Sequence, residues 1–281
     1  MNNGLLDIQR ILAGRTFKRI AGRVDLIRST TSTNDYIWSA AADDAAHDPT
    51  DGHVVFAEFQ SAGRGRMGRS WHSPTGASVM FSILLIESAD TPTPPAEALG
   101  LIAGIAAASA INDVTGLTAR IAWPNDIVVG HRKLGGVLIE SRMIETGRRA
   151  YALGIGVNCL QHRTHFPDEF RPRATSIDLE STRPVDRESI AAALLLSLDA
   201  WLAEPLRWEP STLKAAFLQH ATPLGCDIEL RFQGHTYTGQ VIDIDPSAAL
   251  VVQLRDGTRR LFPAAATSIV HHLYPSSGGG G

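Results

Sequence analysis

Three arginines and three glycines crowd into the twelve residues Gln60-Ser61-Ala62-Gly63-Arg64-Gly65-Arg66-Met67-Gly68-Arg69-Ser70-Trp71. Arg64, Arg66 and Arg69 are permanent cations whose planar forks match carboxylate or phosphate oxygens. Gly63, Gly65 and Gly68 free the backbone for positive φ and for close approach to a ligand. Such a loop repels itself when empty and orders when an anion arrives. By composition it fits a nucleic-acid-binding or unstructured Arg/Gly segment as well as a small-molecule site. Neither phosphate fingerprint is present: no Lys-Ser or Lys-Thr follows the glycines, and their spacing is not that of a dinucleotide turn.

Four further groups have types suited to chemistry. Ser32, Thr33 and Asn34 close a hydroxyl-rich run (Ser29 to Asp35) that would cap a helix at about Tyr36 to Ala46 and could present hydroxyls and N–H groups to a ligand. Asn125 and Asp126 follow Pro124, where a turn is the simplest reading. Lys133 opens an apolar run just before Gly135 and Gly136, so a cation sits where a backbone or ligand can come close. Ala150 to Asn158 alternates small and apolar residues, an interior strand whose glycines clear space for something.

The elements that must hold these residues follow from periodicity. Val24–Ile27, Val54–Phe59 and Ser78–Ile86 read as strands, the last apolar enough to be central. Thr91 to Pro95 breaks the chain before an Ala-rich helix from Ala96 to Val114, with Gly116 past its end. Arg120–Trp123, Ile127–Val129 and Lys133–Glu140 form strands around a turn at Gly130-His131-Arg132. Residues 160–187 lack periodicity and read as a long loop, a candidate cover for an adenine; helices follow at 188–203 and 211–220. Beyond Pro223, short strands at 225–232, 240–244, 250–254 and 258–262, joined by turns, imply a small β-barrel. The expected organisation is α+β: a unit over 1–222, a barrel over 223–275 and a flexible tail over 276–281.

A net charge of -3 argues against a general nucleic-acid binder and makes the basic loop a local feature. Cys159 and Cys226, without a CxxC spacing, suggest neither a disulfide framework nor structural zinc. His271-His272 reads as surface rather than a metal site. Residues 1–28 hold no apolar run long enough for a signal peptide or membrane span, so a cytoplasmic protein is expected.

Taken together, Ser32-Thr33-Asn34, the Gln60–Trp71 loop, Trp123-Pro124-Asn125-Asp126, Lys133-Leu134-Gly135-Gly136 and Gly154-Ile155-Gly156-Val157-Asn158 resemble the biotin protein ligase family, in its order and over about residues 24–274. The resemblance implies a mixed sheet with packed helices, of the class II aminoacyl-tRNA-synthetase-like kind, followed by a small SH3-like β-barrel. It implies ATP-dependent formation of biotinyl-5′-AMP and transfer of biotin to a lysine of a biotin carboxyl carrier protein. By resemblance, Lys133, Arg64 and Arg66 are catalytic. Ser32, Thr33, Asn34, Gln60, Gly63, Arg64, Gly65, Arg66, Lys133, Gly135 and Gly136 hold biotin. Arg66, Arg69, Trp71, Asn125, Asp126, Lys133 and Asn158 serve ATP. Mg²⁺ accompanies the triphosphate, held mainly by phosphate oxygens, with no dedicated protein metal site. About two dozen residues precede Val24, too few for the winged helix-turn-helix of repressor members, so no DNA partner is expected. Monomer and homodimer both stay open. The rivals are a lipoate or octanoate ligase of the same superfamily and a non-catalytic nucleic-acid-binding module.

Overall fold

The structure, a computed structural model, describes residues 5–43, 49–184, 186–222, 224–245, 247 and 249–273, with the backbone alone at 43 and 271–273. The expected tail and the histidine side chains at 271–272 lie outside the described residues.

Val54–Ala57 and Ser78–Ile86 are buried at every residue because both faces of their sheet are covered. In chain order come α1 (Ile8–Leu12), β1 (Val24–Ile27), α2 (Thr33–Asp43), β2 (Val54–Ala57), β3 (Ser78–Ile86), α3 (Ala96–Thr115), β4 (Ala119–Ala122), β5 (Asp126–Val129), β6 (Arg132–Met143) and β7 (Arg149–Asn158). Then follow α4 (Ile177–Glu180), α5 (Arg187–Leu202), α6 (Pro210–His220), β8 (Asp227–Phe232), β9 (His235–Asp245), β10 (Ala249–Leu254), β11 (Arg259–Pro263) and β12 (Thr267–Leu273). The first seven strands form one sheet in the order β1-β2-β3-β7-β6-β5-β4. Only β1 and β2 run parallel, so the sheet is mixed. The last five form an antiparallel sheet, β11-β10-β9-β8-β12.

One face carries the core. Val79, Phe81, Ile83 and Leu85 of β3 and Leu153, Ile155 and Val157 of β7 pack with α3 and α5. Helix α3 is apolar almost all round, as a helix buried on all sides must be. Gly116 ends it in the left-handed conformation, its N–H donating to the Asn112 carbonyl. By length and composition α3 could cross a membrane; here it is a core helix between sheet and helices. Two buried carboxylates tie the N-terminal segment down. Asp199 of α5 accepts the N–H groups of Lys18, Arg19 and Ile20 at 2.8, 2.8 and 3.0 Å. Glu58 pairs with Arg187 at 2.8 Å and also accepts the Leu6 N–H.

The other face belongs to the site. Met80, Ser82, Leu84 and Ile86 of β3, with Ala150, Ala152, Gly154, Gly156 and Asn158 of β7, alternate with the core residues and so lie on it. Helix α2 covers one end through Ile37, Trp38 and Ala41, packed on Leu84, Ile86 and Ala152.

Three elements differ from expectation. Helix α2 starts at Thr33, three residues early, with the Ser32 carbonyl already accepting the Tyr36 N–H at 3.0 Å. The stretch after β7 is not a formless loop: it holds a 3₁₀ turn (Arg163–His165) and α4, capped by the Ser176 hydroxyl. The second sheet has a fifth strand, β12, and β9 begins at His235. Both escape a pattern search because His235-Thr236-Tyr237-Thr238 is polar and exposed or half-buried, with no apolar alternation, and β12 follows an Ala-rich turn directly.

Candidate active site

The floor of the site is made by what β7 and β6 lack. Gly154 and Gly156 pair with Leu138 and Gly136 on one side and with Ser82 and Met80 on the other. A Cβ on Gly154 would stand 2.6 Å from Asn34 Oδ1, and one on Gly156 would stand 2.9 Å from the Trp71 ring. The β7 glycines therefore clear space for two side chains of the protein itself. Gly135 is required for a different reason, because its Cβ would meet the Gly156 carbonyl at 2.7 Å.

A bulge delivers Lys133. Opposite Ile127 and Val128 the β6 register skips Leu134, since Ile127 pairs with Gly135 and Val128 with Lys133. Regular alternation back from core-facing Val137 would put Lys133 in the core. The extra residue sends Leu134 there and turns Lys133 to the site face. Its ammonium donates to Asp126 Oδ1 at 2.6 Å and lies over Gly136, where a Cβ would be 3.6 Å from Nζ. The backbone of Lys133 is held by the 173–175 segment, its N–H donating to the Arg173 carbonyl and its carbonyl accepting from Thr175.

The Arg/Gly loop folds back on itself. Gly65 N–H donates to the Arg69 carbonyl at 2.7 Å and Trp71 N–H to the Gly63 carbonyl at 2.8 Å. Of its three glycines only Gly68 takes positive φ, beside Met67 at φ 56. Gly63 serves close approach instead, a Cβ there lying 2.7 Å from the Trp71 carbonyl. The three arginines differ in surroundings. Arg64 donates to Asp35 at 2.7 Å and to Glu140 at 3.1 Å. Burial opposes its charge, but the hydrogen bonds and charges of Asp35 and Glu140 prevail and hold its pKa above the ordinary value. Arg66 donates to Asn125 Oδ1 at 3.4 Å and to the Ala264 carbonyl of the turn before β12. Among the described residues no carboxylate forms an ion pair with it. Burial lowers its pKa, the charge of Asp126 raises it and that of Arg69 lowers it further. Arg69 is exposed. Arg64 is thus neutralised by two carboxylates, while Arg66 is half-buried and still feels the like charge of Arg69.

Asn125 Nδ2 donates to the Val137 carbonyl at 2.8 Å, fixing the turn that carries Asp126. Gln60 Oε1 accepts from Thr33 N at 2.7 Å, and Gln60 Nε2 lies 3.3 Å from Met80 Sδ. Thr33 Oγ1 and Asn34 Oδ1 stand 2.7 and 2.6 Å from Ser82 Oγ. Trp71 Nε1 is buried and has no hydrogen-bond partner among the described residues. Asn158 faces the post-β7 segment: its Nδ2 donates to the Thr175 carbonyl and its Oδ1 accepts from Gln161, at 2.9 and 3.0 Å. A cleft of about 510 Å³ opens beside Gln60, lined by Ser61, His72, Ser73, Phe166 and Arg171, and Lys133, Arg66 and Asp126 are not in its lining. Among the described residues no group of three His, Cys, Asp or Glu could hold a metal ion.

Site-facing residues missed in the sequence are Ser82, Asp35 and Glu140. Ser82 had a signal, a hydroxyl at the centre of an apolar strand; Glu140 had one at the site-facing phase of β6.

The biotin/lipoate A/B protein ligase family profile matches residues 26–158. The bifunctional ligase/repressor BirA of Bacillus spizizenii is 30% identical over 240 residues, 85% of this chain and 71% of the relative. The biotin–[acetyl-CoA-carboxylase] ligase of Mycobacterium tuberculosis is 30% identical over 254 residues, 89% of each chain. In fold, the biotin protein ligase of Aquifex aeolicus, solved in complex with biotin and ATP, superposes with a TM-score of 0.72 at 21% identity, covering 89% of this chain and 99% of that one. The chain belongs to the biotin/lipoate A/B protein ligase family, and within it to the biotin protein ligases. It is a ligase enzyme acting on biotin, which leaves the reading as a non-catalytic nucleic-acid-binding module without support.

Proposed function

We propose that this ligase joins the carboxylate of biotin to the α-phosphate of ATP, releasing pyrophosphate, and then passes biotin from biotinyl-5′-AMP to a lysine of a biotin carboxyl carrier protein. The observation that carries the reading is the pair of cations at the Asn125-Asp126 turn, Lys133 lying over Gly136. Arg66 and Lys133 are bound to consecutive residues, Asn125 and Asp126, and the Asp126 carboxylate pairs with Lys133 while its charge also acts on Arg66. Two anionic reactants repel at contact, and fixed charge in a site shielded from water lowers that barrier without reorganisation. In this reading Lys133, oriented by Asp126, meets the biotin carboxylate and the charge that develops on the α-phosphate. Arg66 closes over the same phosphate. Trp71, flat on Gly156, takes the nucleotide side with Asn125, Asp126 and Arg69, while Thr33, Asn34, Ser32 and Gln60 take the ureido end of biotin. Asn158 acts at one remove, by holding the segment that fixes the Lys133 backbone. The residues present fit Mg²⁺ arriving on the triphosphate, with the Asp126 carboxylate beside Lys133. Residues 1–222 would be the catalytic unit and 223–275 its companion, in the cytoplasm. The lysine attacks the mixed anhydride, its carbonyl carbon takes the new amide bond, and AMP leaves.

The family profile spans lipoate as well as biotin ligases, which keeps lipoate as the second reading. ATP labelled at its α-phosphate, incubated with biotin, lipoate or octanoate, decides between them. Label in a biotinyl adduct, chased onto a carrier domain as biotin, is the expected result; label in a lipoyl adduct alone would reassign the substrate.

A further inference from the structure

We infer that Glu140 is a positioning residue: with Asp35 it grips the Arg64 guanidinium and so tethers the Arg/Gly loop across the site, making Arg64 the anchor of the loop rather than a contact for the substrate anion. The grip is two-sided. Arg64 Nη1 reaches Asp35 at 2.7 Å from α2, and Nη2 reaches both Glu140 oxygens at 3.1 and 3.2 Å from β6. Its charge is already answered by two carboxylates, so an arriving carboxylate or phosphate meets a net negative neighbourhood at Arg64 and a net positive one at Arg66. Arg64 is also the second residue of the loop's hairpin, paired with Ser70, so holding it holds both arms. Charge-assisted forks of this kind fix orientation as well as position.

Glu140 gathers more than the loop. Its Oε2 accepts from Asn34 Nδ2 at 3.1 Å and from Trp38 Nε1 at 3.3 Å. Asn34 Oδ1 in turn meets Ser82 on β3, over Gly154. One carboxylate thus connects the loop, the first turn of α2 and the central strands. It stands on β6 in the phase of Leu138 and Gly136, the strand that also carries Lys133. The consequence is a division of labour: Glu140 and Asp35 keep the lid closed over the product of adenylation, and Arg66 with Lys133 do the electrostatic work beneath it.

This inference rests on the proposed adenylation for one of its readouts and not for the other. Limited trypsin digestion of the full, ligand-free chain reads the tether alone. Cleavage after Arg66 and Arg69 is expected to accelerate by about tenfold in Glu140→Gln and in Arg64→Gln, the scale of one lost charge-assisted hydrogen bond. The double variant should go little further, because both changes cut the same link. In Glu140→Gln, release of biotinyl-AMP should rise by a similar factor, with kcat for pyrophosphate exchange at saturating biotin changed by less than about threefold. Thermal unfolding identifies a variant that is globally destabilised; in that case Asp35→Asn with Arg64→Gln runs the same cycle from the other side of the fork. Unchanged cleavage in folded variants overturns the tether, as does an Arg64→Gln loss that adds fully to the Glu140→Gln loss. Faster cleavage in a protein whose wild type makes no biotinyl-AMP would sustain the tether and overturn the substrate instead.

Discussion

One residue separates Arg64 from Arg66, and the surroundings of the two arginines differ. Asp35 and Glu140 neutralise the first, while burial without a paired carboxylate leaves the second as available positive charge. Replacing Arg66 by Ser should therefore let biotinyl-AMP escape and label bystander lysines, read by mixing the enzyme with an unrelated protein; labelling equal to wild type would contradict it. Lys133→Met should lower the rate of adenylation by about a hundredfold or more, the usual cost of removing a charge that stabilises a transition state, with biotin binding measured separately by calorimetry. A methyl group at Gly156 would press on the Trp71 ring at 2.9 Å, so Gly156→Ala should raise KM for ATP more than KM for biotin. At this scale the sequence made the cations, the glycines and the Asn-Asp pair legible, because permanent charge and missing side chains are visible as residue types. It hid Asp35, Ser82 and Glu140, whose significance lies in where alternation and the start of α2 place them.

The elements explain why a bulge and a buried pair matter as much as any loop. Regular β6 would bury Lys133; the added Leu134 exposes it. Strands β3 and β7 and helix α3 were legible to within a residue, since long apolar periodicity and a Gly116 stop leave little choice. The 160–187 stretch was not, because its order comes from long-range hydrogen bonds to Lys133, Cys159 and Asn158 rather than from local pattern. Glu58 and Arg187 have side chains 0% and 5% exposed, so Glu58→Gln removes the carboxylate that faces a buried cation. It should cost about 3–5 kcal/mol in urea unfolding. Cys159 is buried and its thiol is pushed up to about 12. The unfolded chain ionises it first, near pH 9, so the native state binds the extra proton and loses stability as pH rises from there. Cys159→Ala should flatten that alkaline limb of the stability curve; an unchanged limb would assign it elsewhere.

In the whole molecule the two sheets share one apolar core. Ile228, Leu230, Phe232 and Val241 of the second sheet belong to the same cluster as Leu213 and Phe217 of α6 and the main sheet. Lys214 of α6 pairs with Asp243 of β9 at 2.5 Å, and the Ala264 carbonyl meets Arg66. The second sheet is therefore expected to matter for catalysis. Truncation after residue 222 should lower the unfolding temperature and abolish adenylation, whereas a truncated chain with wild-type activity would show the sheet to be a passive appendage. In the proposed reaction Arg66 and Lys133 bring a biotin carboxylate to the α-phosphate of ATP. Its most direct test is exchange of labelled pyrophosphate into ATP with no acceptor protein present, biotin beside lipoate, wild type beside Lys133→Met. Exchange should require biotin and fall by about a hundredfold in the variant. Exchange without biotin, or biotin-dependent exchange that survives the loss of Lys133, would contradict it.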